Sequence, residues 1–148
     1  MPEKETVRRA RKDKRQGKSP STQAGEFVRE EIHHVREGKH GARSAKQAIA
    51  IGLSKARRAG VKLPPPRRAK ASTKESARSA SRAAGRHRPP SARRSQAARR
   101  ALRRETRSAA SHTALARQAR KAAHRRPAAA RKAAARRAAR TRQRRAST

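Results

Sequence analysis

The fold is set by residues 21–63, whose sequence is STQAGEFVREEIHHVREGKHGARSAKQAIAIGLSKARRAGVKL. In the first half of this stretch, apolar side chains recur at the spacing of one helical face: Ala24, Val28, Ile32 and Val35. Ser21 or Thr22 can cap the start of such a helix, and Gly38 is typical of a helix end. The pattern therefore predicts a helix over residues 22–37.

A second helix is predicted over residues 45–59. Ser44 with Gln47 three residues later is a capping-box pattern, and Gly60 followed by Pro64-Pro65-Pro66 prevents the helix from continuing. Small residues stand four apart along it, which would let a partner helix approach closely: Ala48, Gly52, Ala56 and Gly60. With a tight connector at 38–41, the two helices form a helix-turn-helix-like hairpin, and the predicted fold class is all-α.

The apolar residues of the chain are too few for a large core. Only 13 residues are Met, Val, Ile, Leu or Phe, and nine of these lie between Phe27 and Leu63. Domains this small usually need a disulfide, a bound metal or a partner chain to be stable. We therefore expect the hairpin to be marginally stable alone, or to form a homodimer through Ile49, Ile51 and Leu53.

Charge divides the chain into three parts. The 148 residues include 45 Lys and Arg against nine Asp and Glu, which gives a net charge of +36 and a pI near 12. Residues 1–20 carry +5 and are predicted to form a short charged helix or arm that ends at Gly17. Residues 21–63 also carry +5, whereas residues 64–148 carry +26. The C-terminal region is therefore the polycation.

Residues 64–148 are of low complexity, rich in alanine, arginine and serine, and interrupted at Gly85, Pro89-Pro90 and Pro127. Alanine favours helix, but like charges at i, i+4 oppose it until something neutralises them. We therefore expect this tail to be largely disordered, or helical only under some conditions. Once helical, its bases would form two stripes: Arg117, Arg120, Lys121, His124 and Arg125, and then Lys132, Arg136, Arg140 and Arg144.

A polycation of this density favours a polyanionic partner, because neutralising the phosphates of nucleic acid releases counterions. The 26 net charges of the tail would match about 26 phosphates, or about 13 base pairs of duplex. We predict nonspecific binding and compaction of double-stranded DNA through Arg93, Arg94, Arg99, Arg100, Arg103, Arg104, Arg107, Arg117, Arg120, Lys121, Arg125, Arg126, Arg131, Lys132, Arg136, Arg137, Arg140, Arg144 and Arg145. Accessory basic residues on the hairpin are Lys46, Lys55, Arg57 and Arg58.

The near absence of aromatic side chains narrows the mode of binding. With one Phe, Phe27, and neither Trp nor Tyr, the chain cannot build base-stacking platforms. What remains is contact of arginine with phosphates and grooves, which reads little sequence directly. Because phosphate contacts do not distinguish DNA from RNA, the first alternative function is that of an RNA- or ribosome-associated protein. The second alternative is an interaction protein that binds anionic membranes or acidic partners. With only Leu102 and Leu115 as bulky apolar residues, the tail has too little to insert into a membrane.

Catalysis and cofactor binding find little support in the sequence. The chain has no cysteine, and Gly38-x-x-Gly41 lacks the spacing of a phosphate-binding loop. Candidate metal ligands are densest in one cluster, which contains a Glu-x-x-His motif at 30–33: Glu26, Glu30, His33, His34 and His40. Because such a site needs ligands from several helices, we interpret these residues as solvated side chains opposite the apolar face, with Glu30, Glu31 and Glu37 paired to local bases. The prediction is a non-enzyme without cofactor or metal.

Residues 21–66 resemble a small family of basic bacterial proteins that carry a domain of unknown function. The shared signature is KHG…S-x-KQAIAI-x-LS-x-A, matched here by Lys39-His40-Gly41, Ser44, residues 46–51 and Leu53-Ser54. This resemblance implies bacterial origin and a helical hairpin. The segment 124–145, HRRPAAARKAAARRAARTRQRR, resembles linker-histone tails and bacterial histone-like proteins, although arginine outnumbers lysine. It implies a histone-like, nucleoid-associated protein.

Two expectations follow about location and truncation. No apolar run approaches the ~18 residues of a spanning helix, and the N-terminus lacks a signal-peptide core, so we expect a cytoplasmic protein on the nucleoid. Because 26 of the 36 net charges lie in residues 64–148, deleting them is expected to remove most affinity for nucleic acid and to leave the hairpin folded.

Overall fold

The computed structural model describes residues 2–86 and 91–146, apart from the side chain of Arg145. The described residues contain helices and no strand, which confirms the predicted all-α class. The α-helices are α1 Lys4–Arg15, α2 Pro20–Arg36, α3 Ala45–Arg58, α4 Ala71–Arg82, α5 Ala92–Arg103, α6 His112–His124 and α7 Ala128–Ala146. A 3-10 helix, Ser108–Ala110, precedes α6. The break predicted at Pro89-Pro90 lies outside the described residues.

The predicted hairpin is present as α2 and α3. Its first helix begins earlier than predicted, because Ser19 rather than Ser21 or Thr22 is the cap: Ser19 Oγ accepts a hydrogen bond from Thr22 N at 3.3 Å, and Pro20 suits the first turn. The cap predicted for α3 is confirmed, since Ser44 Oγ accepts from Gln47 N at 3.2 Å. Gly38 and Gly60 follow the two helix ends with φ of 77° and 91°, as the sequence indicated.

The small residues of α3 bring its backbone against α2. Ala48, Gly52 and Ala56 are buried on the face that α2 covers. A side chain at Gly52 would place its Cβ 2.7 Å from Val28 Cα and 3.0 Å from Phe27 O. The partner helix that this spacing predicted is therefore α2 of the same chain.

Helix α1 packs on α2 and completes the first part of the core. This part contains Phe27, 1% exposed, together with Ala10, Ala24, Ala56 and Val61. On the outside of the contact, Arg9 Nε donates to Glu26 Oε2 at 2.7 Å. The predicted N-terminal helix is thus a packed element, although Val7 is its only bulky apolar side chain.

The second part of the core contains residues from the tail. Ala109 and Ala110 of the 3-10 helix are buried with Val35, Ala42 and Ala48. We call residues 102–110 the docking segment, because Gly41 N donates to Leu102 O at 2.9 Å and Ala42 N donates to Thr106 O at 3.0 Å. At its far end, Arg36 Nε donates to Ala110 O at 2.8 Å.

The long disordered tail predicted from the sequence is not seen in the described residues, where α4 to α7 are helical. Side-chain caps support two of these helices, since Ser91 Oγ accepts from Arg94 N and Ser111 Oγ accepts from Ala114 N. Helix α4 packs on α3, and its Ala77 and Ala80 are buried. In α4, alanine therefore contributes burial as well as helix propensity. Helices α5 and α6 have no buried residue, so their alanines contribute helix propensity alone.

Candidate nucleic-acid interface

Helix α6 carries its bases on one side. With 3.6 residues per turn, positions 117, 120, 121 and 124 lie within about 100° of one another around the helix axis. Arg117, Arg120 and Lys121 are exposed, whereas Leu115 on another side of the helix is partly covered. The stripe predicted from the sequence is therefore a solvent-facing row of cations.

The docking segment fixes the position of α6. The buried pair Ala109 and Ala110 lies directly before the helix, and α6 also contacts α3. Ser111 then ends the 3-10 helix and caps α6. Because Arg36 holds the carbonyl of Ala110, the basic face of α6 is attached to the folded hairpin rather than to a free tail.

Helices α5 and α7 present bases without any buried side chain among their described residues. Along α7, the four bases at 132, 136, 140 and 144 cover about 120° of the helix surface. Arg131 and Arg142 lie on the opposite side of the same helix, so α7 is cationic on both sides. This arrangement differs from the single face of α6.

Of the nineteen side chains predicted to contact DNA, eighteen are exposed, and the side chain of Arg145 lies outside the described part. Helix α5 holds Arg93, Arg94, Arg99, Arg100 and Arg103; the docking segment holds Arg104 and Arg107; α6 holds Arg117, Arg120 and Lys121; Arg125 and Arg126 follow it; and α7 holds Arg131, Lys132, Arg136, Arg137, Arg140, Arg144 and Arg145. Arg107 also lies over Gly38, where its Nη1 would be 3.1 Å from an added Cβ.

The four accessory residues divide into two pairs. Lys46 and Arg58 are exposed on α3. In contrast, Lys55 Nζ lies 2.7 Å from Glu31 Oε2 and 3.3 Å from Glu30 Oε1. Arg57 is 8% exposed and its Nη2 donates to Pro64 O at 3.2 Å, while burial lowers its pKa. Lys55 and Arg57 therefore hold the fold together and do not face an outside partner.

Carboxylates are scarce beside these bases. Residues 64–148 contain Glu75 and Glu105 alone. Glu75 pairs with Arg78 and Arg82 of its own helix, and the hydrogen bond from Arg82 holds the pKa of Glu75 below its ordinary value. The arginines of α5, α6 and α7 thus lie in a region with one carboxylate, Glu105.

The Glu-x-x-His motif at 30–33 does not form a metal site. His33 is 68% exposed and its Nε2 lies 2.8 Å from Glu37 Oε1, whereas Glu30 is buried beside Lys55. Our interpretation of this cluster as solvated was wrong for Glu30, which is 5% exposed, and for the largely covered His34 and His40. The reason is that α1 and α3 together cover a wider face of α2 than the apolar stripe. The predicted pairing of Glu30 and Glu31 with a local base is confirmed by Lys55.

The comparisons with known proteins concern the N-terminal part of the chain. Residues 4–67 match a family of unknown function, DUF6496. The match includes α1, α2 and α3 and stops before α4, so the arginine-rich helices lie outside it. No curated protein and no solved structure matches the chain. Among the described helices, none combines the length and apolar character needed to cross a membrane.

Proposed function

We propose that this protein binds duplex DNA through its phosphates, without reading base sequence, and compacts it as a histone-like, nucleoid-associated protein of the bacterial cytoplasm. The observation that supports this proposal is the basic face of α6, which is exposed and attached to a folded hairpin. A fixed row of cations can approach a phosphate strand without first being ordered. The free energy gained from counterion release is then not offset by the entropy cost of folding the helix.

Helix α7 supports the same proposal in a different way. Its 19 residues span about 28 Å, and bases on both sides let it meet phosphates in many orientations. Such a helix suits neutralisation and bridging of DNA strands rather than recognition of one site. We further propose that α5 and α7 are stable as helices only when phosphates screen their i, i+4 repulsion.

Sequence reading by this surface would be weak. Arginine can bind guanine bidentately, but selective readout needs several side chains placed against base edges. The exposed row of α6 combines three flexible cations with alanine and glutamine, and phosphate contacts alone carry no sequence information. We therefore expect a preference for charge density and groove shape over base identity.

The proposal is tested by two charge-matched triple variants in a DNA-binding assay. One changes Arg117, Arg120 and Lys121 of α6 to Gln, and the other changes the exposed Arg11, Lys12 and Lys14 of α1 to Gln. Both lower the net charge by three, so a purely global charge effect would weaken them equally. We expect the α6 variant to lower the salt slope of log K by about 2.7, with little change for the α1 variant.

The same assay separates DNA from RNA. Duplex DNA and structured RNA compete at equal phosphate concentration for the wild-type chain. Preference for the duplex supports the proposal, whereas preference for RNA would assign the α6 face to an RNA or ribosomal partner. Equal loss of binding in both triple variants would show that α6 is not the interface.

A further inference from the structure

A cluster of titratable side chains, separate from the arginine surface, lies where the end of α2 meets the loop at 38–41. We propose that Glu31, His34 and His40 form a binding site for one divalent transition-metal ion such as Zn²⁺. One donor atom from each of these side chains lies within 4.8 Å of the other two. Glu31 and His34 are i, i+3 neighbours on α2. Gly38, with φ of 77°, reverses the chain and brings His40 back to them.

Glu31 supplies a buried anion that the protein only partly satisfies. Its side chain is 1% exposed, and neither of its carboxylate oxygens accepts a hydrogen bond from the described residues. A buried carboxylate needs a paired cation. Lys55 Nζ, 2.7 Å away, supplies one at Oε2, which leaves Oε1 directed toward His40.

His40 directs its Nε2 toward that oxygen. Its Nδ1 lies 3.1 Å from the carbonyl oxygen of Gly41, and a ring that donates Nδ1–H to a carbonyl carries its lone pair on Nε2. This Nε2 lies 3.3 Å from Glu31 Oε1. Two acceptors at this distance need a cation between them, either a proton on the ring or a metal ion. Two ligands of a tetrahedral Zn²⁺ with bonds of about 2.1 Å stand roughly 3.4 Å apart.

His34 provides the third ligand and has its own supporting carboxylate. Its side chain is 12% exposed, and its Nε2 lies 2.8 Å from Glu3 Oε1. The His34 and His40 rings meet edge to face, with centroids 6.2 Å apart. Carboxylates that hold a ligand histidine orient its ring and strengthen metal binding, and Glu3 is placed for that positioning role.

The donor set selects the class of ion. Two imidazoles and one carboxylate suit Zn²⁺ and its neighbours Co²⁺ and Ni²⁺, whereas Mg²⁺ and Ca²⁺ prefer oxygen ligands alone. A chain of net charge +36 repels cations in general, but seven of its nine carboxylates lie within residues 3–37. The cluster thus occupies the part of the sequence where that repulsion is best compensated.

Metal titration of the full-length, untagged chain tests this proposal. Nuclease treatment and high salt first remove nucleic acid, which would bind metal itself, and a chelator removes residual ions. We expect one equivalent of Co²⁺ to give the visible absorption of a four- or five-coordinate cobalt site. Zn²⁺ should displace the bound Co²⁺, and it should also raise the melting temperature of the protein. Glu31→Gln and His40→Ala should abolish these effects, and Glu3→Gln should weaken binding roughly 10- to 100-fold.

The matched control is His33→Ala, which removes a histidine of the same helix that lies outside the cluster. It should bind metal like the wild type. Histidine NMR of the wild-type chain gives a test that needs no variant, since Zn²⁺ should shift the His34 and His40 resonances and not those of His112 or His124. Absence of binding at one equivalent, equal loss in His33→Ala, or shifts confined to other histidines would overturn the proposal.

Discussion

Gly25 and Gly52 both lie inside helices, but their surroundings differ. A Cβ at Gly25 would meet nothing within 4 Å, whereas a Cβ at Gly52 would collide with the backbone of Val28 and Phe27. We expect Gly52→Ala to destabilise the protein by about 1–3 kcal/mol through overpacking. Gly25→Ala should stabilise it by about 0.4–1 kcal/mol. Chemical denaturation followed by circular dichroism measures both, and equal effects would mean that α2 and α3 do not pack as described.

The carboxylate of Glu3 also determines part of the pH dependence of folding stability. The hydrogen bond with His34, supported by Lys39, holds the pKa of Glu3 below its ordinary value. A lowered folded-state pKa adds stability above the unfolded-state value, and this is lost as pH falls through the folded-state value. The melting temperature of Glu3→Gln should therefore lie below that of the wild type near pH 6, and the two should converge as pH falls through the folded-state pKa of Glu3. A gap that persists to pH 2.5 would contradict this role.

At the scale of elements, the contact between the docking segment and the 38–41 loop requires a glycine at position 41. A Cβ at Gly41 would overlap the backbone carbonyl of Glu105, so Gly41→Ala should displace the docking segment and leave α2 and α3 helical. Limited trypsin digestion measures this through cleavage after Arg107, which we expect to be faster in the variant. Gly25→Ala is the control, and unchanged cleavage would show that the segment docks elsewhere.

Helices α2 and α3 could be predicted because their ends and apolar faces carry local signals, such as Ser44 and Gly60. The docking of Ala109 and Ala110 could not, because alanine in an Ala/Arg/Ser-rich region looks the same whether it is buried or exposed. Of the three candidate metal ligands, His34 and His40 belonged to the cluster singled out from the sequence, whereas Glu31 was missed for a related reason. Neighbouring residues of a helix point about 100° apart, and only the packing of α1 and α3 on α2 shows that Glu31 rather than Glu26 faces inward.

At the scale of the whole molecule, the charge predicts how binding responds to salt. If ten side chains contact phosphates, log K should fall against log salt with a slope of about −9 on duplex DNA. Scrambling the base sequence should change affinity little. Circular dichroism should show a gain in total helix content once DNA neutralises α5 and α7. A shallow slope or a strong preference for one sequence would contradict phosphate-driven binding.

The docking segment also determines which fragment of the chain can fold as a monomer. The family match ends at Arg67, yet Val35, Ala42 and Ala48 are covered by residues 109 and 110. A fragment that ends at residue 63 or 67 therefore lacks the residues that cover this apolar surface, and we expect its hairpin to be less stable than in the full chain. In the full chain, the long connection through α4 and α5 lets the docking segment of one copy cover the hairpin of another with the same contacts. We therefore expect concentrated protein to form domain-swapped dimers without any new interface, which size-exclusion chromatography at increasing concentration would detect.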